Sequence, residues 1–174
     1  LGRGVLILDV TDPWNPVFVG SENNNYCHDS YVRDNFLYTS DIYNGQFSIY
    51  DISNLSSPVL QATQLTPGLF NHNTWLSDDG RTLFAADEKA NEPLASFDIS
   101  DFGNISLLDT FYNGNFTSNE VHNVRVINDY VICPSYGSQL TIVDGARPRN
   151  MIEVANYPTG GYLCWDADPY TTSG

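Results

Sequence analysis

Positive charge is scarce. Lys and Arg number 7 against 21 Asp and Glu in 174 residues, a formal net charge of −14 with a pI near 4.1. A chain so acidic repels a phosphate backbone and an anionic membrane surface, which removes nucleic acid as a partner. Long apolar runs are missing too: no stretch approaches the roughly 18 apolar residues needed to span a bilayer as a helix, so a transmembrane segment is excluded from this chain. Cysteine is limited to Cys27, Cys133 and Cys164, an odd number that makes no disulfide framework. Helical periodicity is nearly absent, as are an EF-hand loop, a Gly-rich phosphate loop, a Gly-x-Ser-x-Gly elbow and a His-Glu-x-x-His pair. Nucleotide chemistry and the common hydrolase chemistries therefore lack a motif.

What the sequence does hold is 41% hydrophobic residues with 13% aromatics, enough for a packed core rather than a solvated tail. It also repeats. The run Val5-Leu6-Ile7-Leu8-Asp9 returns as Phe47-Ser48-Ile49-Tyr50-Asp51, as Leu94-Ala95-Ser96-Phe97-Asp98 and as Leu140-Thr141-Ile142-Val143-Asp144, with the aspartates 42, 47 and 46 residues apart. A turn-rich tail follows each Asp. A second landmark keeps step: Cys27-His28-Asp29, Asn71-His72-Asn73, Val121-His122-Asn123 and Cys164-Trp165-Asp166, at spacings of 44, 50 and 43. Each His landmark opens a short β-rich run, a polar turn and a second strand, and a loop leads into the Asp-ended strand.

Four short strands in a unit of about 45 residues are the pattern of a blade, so the expected fold is all-β, a β-propeller with four-stranded blades. A β-sandwich shares the short strands but does not require two landmarks in phase. The blades are placed at 1–25 (partial), 26–69, 70–119, 120–162 and 163–174 (partial), all within one propeller domain over 1–174. The first run starts inside a strand and the last residues follow another, so we read the sequence as a fragment or partial chain. The fourth strands are expected near 59–65, 106–111 and 151–155, with 16–20 as an outer strand and a further first strand at 163–170. A closed ring of four blades, with residues 1–20 completing the blade begun at 163–170, is the alternative. The apolar residues Val5, Ile7, Ile49, Phe97, Val131 and Ile142 are expected to be buried between blades, and Asp9, Asp51, Asp98 and Asp144 to accept hydrogen bonds from their exit turns.

All three histidines occupy one phase of the repeat, which places His28, His72 and His122 at one height around the axis, with Trp165 next in the ring. Three neutral imidazoles suit a divalent transition metal. The other readings of the same residues are hydrogen bonding between blades, through each His and the Asp29, Asn73 or Asn123 that follows it, and acid–base catalysis. Cys27 and Cys164 are adjacent thiols that could join a metal. Asp41 and the pair Asp87-Glu88, at second-strand exits, are oxygen donors suited to Ca²⁺, and with Trp165 and Asp166 they are the further candidate cation or ligand contacts. Asn54, Asn104 and Asn115 head Asn-x-Ser/Thr sequons, which locate surface loops.

The strands ending at Asp9 and Asp144 resemble the LVIVD repeat of surface-exposed propellers. Together with His-Asp or His-Asn at the blade heads, they are similar to the choice-of-anchor B group of secreted or surface-attached proteins. That resemblance implies an extracellular or cell-surface propeller acting as a binding scaffold, with a protein, small-molecule or glycan ligand at the channel mouth. The alternative function is a metal-dependent enzyme, a hydrolase or an oxidase, working at a histidine-lined channel. Trp165 in place of a His, and Gly145-Ala146-Arg147 in place of the usual exit, depart from the pattern. The segment from His72 to Arg81 also has a one-blade likeness to the selenium-binding, methanethiol-oxidising propellers.

Overall fold

The computed structural model describes residues 4–112, 120–137 and 139–169. Two strands, β1 (Val5–Asp9) and β2 (Val17–Glu22), form the first sheet. The second runs β3 (Asp29–Arg33), β4 (Phe36–Asp41), β5 (Gln46–Asp51) and β6 (Val59–Leu65); the third runs β7 (Asn71–Leu76), β8 (Thr82–Asp87), β9 (Leu94–Asp98) and β10 (Ser106–Phe111). The fourth runs β11 (Arg125–Ile127), β12 (Tyr130–Ser135), β13 (Gln139–Asp144) and β14 (Ile152–Pro158). All pairings are antiparallel and sequential. Successive meanders of this kind are propeller blades. A 3-10 turn at Ile42–Asn44 is the one helical element among the described residues.

The last two strands of every sheet obey one rule. Asp9, Asp51, Asp98 and Asp144 accept the backbone N–H two residues on, from Thr11, Ser53, Ser100 and Ala146, at 2.7–3.0 Å. A tight turn follows, closed by bonds from Asn15 to Asp12, Ser57 to Asn54, Asn104 to Asp101 and Asn150 to Arg147. The returning strand then carries an unpaired residue at Val19, Gln61, Leu108 or Val154, each ten residues past its Asp. A bulge here deepens the twist of the outer edge.

Packing lies between sheets. Tyr38, Phe47 and Ile49 of the second sheet meet Leu76, Leu83, Ala95 and Phe97 of the third, with the rings of Phe47 and Phe97 edge to face at 5.3 Å. Phe84, Ala86 and Leu94 on the other side of the third sheet meet Val124, Val126, Val131, Cys133 and Val143 of the fourth. Both faces of the third sheet are thus covered, and β7, β8 and β9 read as nearly continuous burial.

Ile49, Phe97 and Val131 are buried as expected, whereas Val5, Ile7 and Ile142 are only half-buried. Those three belong to the first and fourth sheets, each of which has one neighbouring sheet among the described residues. Residues 163–169 form no strand, contrary to the expectation of a further first strand, and β1 pairs with β2 alone, so the four-blade closure is not formed by the described residues. The sequon at Asn115 lies outside the described residues; Asn54 and Asn104 sit in exposed turns.

Candidate functional site

The inner strands bring the blade heads to one end of the molecule. The backbone N–H of His28 donates to Ser40 at 2.9 Å and that of His122 to Pro134 at 3.0 Å, each just ahead of its strand. In β7 the register slips between Asn71 and Asn73, leaving His72 as an extra residue opposite Asp87 and Ala86. A bulge re-aims its side chain. The imidazoles consequently line up, His28 to His72 at 4.3 Å between ring centroids and His72 to His122 at 4.0 Å, and Trp165 continues the row 5.5 Å beyond His122.

Glu88, one residue past β8, enters this row from the side. Its Oε2 lies 3.5 Å from His72 Nε2, its Oε1 lies 3.4 Å from His122 Nε2, and the Tyr136 hydroxyl donates to Oε1 at 3.0 Å. Nδ1 of His122 stands 2.7 Å from the Trp165 carbonyl oxygen. A carbonyl only accepts, so that nitrogen carries the hydrogen and Nε2 is turned toward the carboxylate. His72 is 5% exposed, and burial, reinforced by the neighbouring His122 and His28, pushes its pKa down to about 3. It is a neutral ring with a free lone pair. One donor atom from each of His28, His72 and Glu88 lies within 4.8 Å of the other two.

A pocket of about 450 Å³ opens over these groups, and Asp29, Asn123, Arg125, Tyr136 and Trp165 complete its wall. The residue after each head ties the blades together. Asn73 donates to Asp29 of the preceding sheet at 2.7 Å and accepts the Val124 N–H of the following one at 2.9 Å, and Asn123 donates to Asp166 at 3.3 Å. Arg125 pairs with Asp166 at 3.1 Å and lies over the Trp75 ring at 4.6 Å.

The remaining sequence candidates separate from the pocket. Asp41 is fully buried and takes hydrogen bonds from Ser48, Asn25 and Gln46. Asp87, also buried, accepts from Thr66, Gly68 and Phe70, and burial raises its pKa in spite of those bonds. Neither lines the pocket; both brace the loops beneath it. Asp166 borders the pocket through Asn123 and Arg125. The Cys27 thiol donates to the Asp29 carbonyl and is driven up to about 12 by burial and by Asp41, and the Cys164 thiol is raised too, so neither supplies a thiolate. Tyr136 and Arg125 were not among the sequence candidates, whereas Asp29 and Asn123 stand in the inter-blade bonds expected of the residues after each head. Tyr136 was traceable, because it follows Ser135 as Glu88 follows Asp87.

Residues 26–66 match the LVIVD repeat family. The fold is also similar to the crystal structure of a protein from Lactobacillus plantarum, with a TM-score of 0.74 at 14% identity over 90% of this chain and 52% of that one. That likeness speaks for the fold alone, and this chain spans about half the length of that protein. No curated protein matches the chain.

Proposed function

We propose that the chain is a secreted or cell-surface β-propeller that serves as a binding scaffold and takes a small polar ligand, of the glycan class, into the head pocket. The observation that carries this is the wall around Trp165. Its indole is 62% exposed at the pocket edge, beside Tyr136, and the donors and acceptors of Arg125, Asn123 and Asp29 line the same pocket. An accessible aromatic face stacks on the apolar face of a sugar ring while fixed polar groups read its hydroxyls. The surface assignment draws on the acidic composition and on the LVIVD likeness of residues 26–66.

The test is quenching of tryptophan fluorescence in the full-length protein by a panel of mono- and disaccharides, in EDTA. Saturable quenching that Trp165→Ala abolishes supports the reading; no saturable quenching, or quenching indifferent to that change, rejects it. Location is tested by labelling intact cells with an antibody to the protein, and detection confined to lysed cells would reject the surface assignment.

A further inference from the structure

We infer that His28, His72 and Glu88 form a binding site for one divalent first-row transition-metal ion, at the floor of the head pocket. The inference deepens the reading of that pocket as the ligand site. Three atoms no more than 4.8 Å apart share a point no further than 4.8/√3, about 2.8 Å, from each. Zinc bonds to imidazole and carboxylate run about 2.0–2.2 Å, so each donor has to close by less than about 1 Å. The observed 3.5 Å between His72 Nε2 and Glu88 Oε2 is already near the edge of a tetrahedron drawn with such bonds, about 3.3–3.4 Å.

A second observation is independent of that spacing. His72 is buried with its Nδ1 lacking a hydrogen-bond partner, and its Nε2 meets only the long 3.5 Å contact with Glu88. Protein groups alone therefore satisfy this imidazole poorly, and a buried polar group left so is costly unless something else completes it. An ion between His72 and Glu88 replaces that long contact with a bond to Nε2, with the ring hydrogen then on Nδ1.

The donor set also chooses among ions. Two imidazoles with one carboxylate suit zinc or another first-row divalent ion and disfavour Ca²⁺, which takes six to eight oxygens. His122 stands outside the set. The set of donors within 4.8 Å of one another does not include it; its Nδ1 donates to the Trp165 carbonyl, and its ring packs 3.4 Å from Glu88 Oε1 beside the Tyr136 hydroxyl that donates to that oxygen, which makes it a positioning residue. Three protein ligands leave a fourth position open toward the pocket, where a ligand oxygen could enter.

The experiment uses full-length protein dialysed against EDTA and then into chelator-free buffer, titrated with ZnCl₂ by calorimetry and with CoCl₂ by visible absorption. The expected result is one ion per chain with a micromolar or tighter Kd and Co²⁺ bands of a low-coordinate nitrogen–oxygen site. His28→Ala, at an exposed position, and Glu88→Gln, which keeps the side-chain shape, each weaken zinc binding by at least about tenfold. His122→Ala weakens it less and shifts the Co²⁺ bands, as a displaced Glu88 requires. No zinc binding below about 1 mM, stronger binding of CaCl₂ than of ZnCl₂, or a loss in His122→Ala equal to that in His28→Ala overturns the assignment. Saccharide quenching in EDTA with no zinc binding sinks the metal and keeps the scaffold; zinc binding without quenching does the reverse.

Discussion

At the outer edges of the sheets, four copies of one turn carry the same bonds: an Asp accepting the N–H two residues on, a closing turn, and a bulge ten residues after the Asp. At the inner edges, the copies of one position read His28, His72, His122 and Trp165. They stand 9, 11, 14 and 11 residues beyond Val19, Gln61, Leu108 and Val154, and their side chains differ in the polar contacts they make: among the described residues His72 meets Glu88 alone, whereas His122 meets Glu88 and the Trp165 carbonyl. The outer edge thus repeats in length and bonding, while the head varies in both. Local turn chemistry needs nothing from the neighbouring blade, so each copy can keep it unchanged. The heads meet one another, and a change in one alters what the next must do.

The strongest way to break this comparison is at Asn73, a buried head residue that bonds to both neighbouring sheets. Asn73→Ala orphans the buried Val124 N–H and should cost roughly 2–3 kcal/mol in urea unfolding. A cost under about 0.5 kcal/mol would show that the heads are not coupled.

The two edges should also separate on the pH axis. His72 is held well below its ordinary 6.5, so the unfolded chain takes this proton first; the stability tied to the neutral ring is complete above about 6.5 and is lost as pH falls toward about 3. Asp9, Asp51 and Asp98 are held below 3.8 by their Thr11, Ser53 and Ser100 bonds, so their share is complete above 3.8 and is lost only as pH falls through the lower folded values. Urea midpoints measured in EDTA should therefore begin to fall near pH 6.5, and His72→Gln should flatten the profile between pH 6.5 and 4 while leaving the steeper acid limb. An unchanged profile in that variant would contradict the burial of His72.

Smaller effects belong to the outer turns. Asp51→Ala should lower the melting temperature by less than Asn73→Ala does, since the Asp51 side chain meets solvent and, among the described residues, bonds to Ser53 alone. The reverse ranking would place the main constraint outside. The smallest effect is a repair. Asp12, Asn54 and Asp101 cap their turns with side-chain bonds to Trp14, Ser56 and Gly103, and the exposed Arg147 occupies that place in the fourth sheet. Arg147→Asp should raise stability by no more than about 0.5 kcal/mol, read as a small upward shift in melting temperature.

This division explains what could be read in advance. The Asp-ended strands, their exit turns and the outer strands at Val59–Leu65 and Ser106–Phe111 were legible because strand alternation and turn residues act locally. Shared phase also brought His28, His72, His122 and Trp165 together. Phase could not show that the His122 Nδ1 is spent on a backbone carbonyl, nor that Glu88 reaches between the rings, because both depend on how far a loop leans sideways. Asp41 and Asp87 read as free oxygen donors because their partners are distant in register: Asn25 and the paired strand β5 donate to Asp41, and the loop before β7 donates to Asp87. Residues 163–169 continue the landmark spacing but do not pair as a strand, and their two aspartates and proline are poor strand formers.

Asn73 has a consequence beyond stability. One amide grips the preceding blade through Asp29 and the following one through Val124, and the side chain next to it, His72, forms the pocket floor. Whatever fills the pocket therefore lies one residue from an amide that holds three blades together.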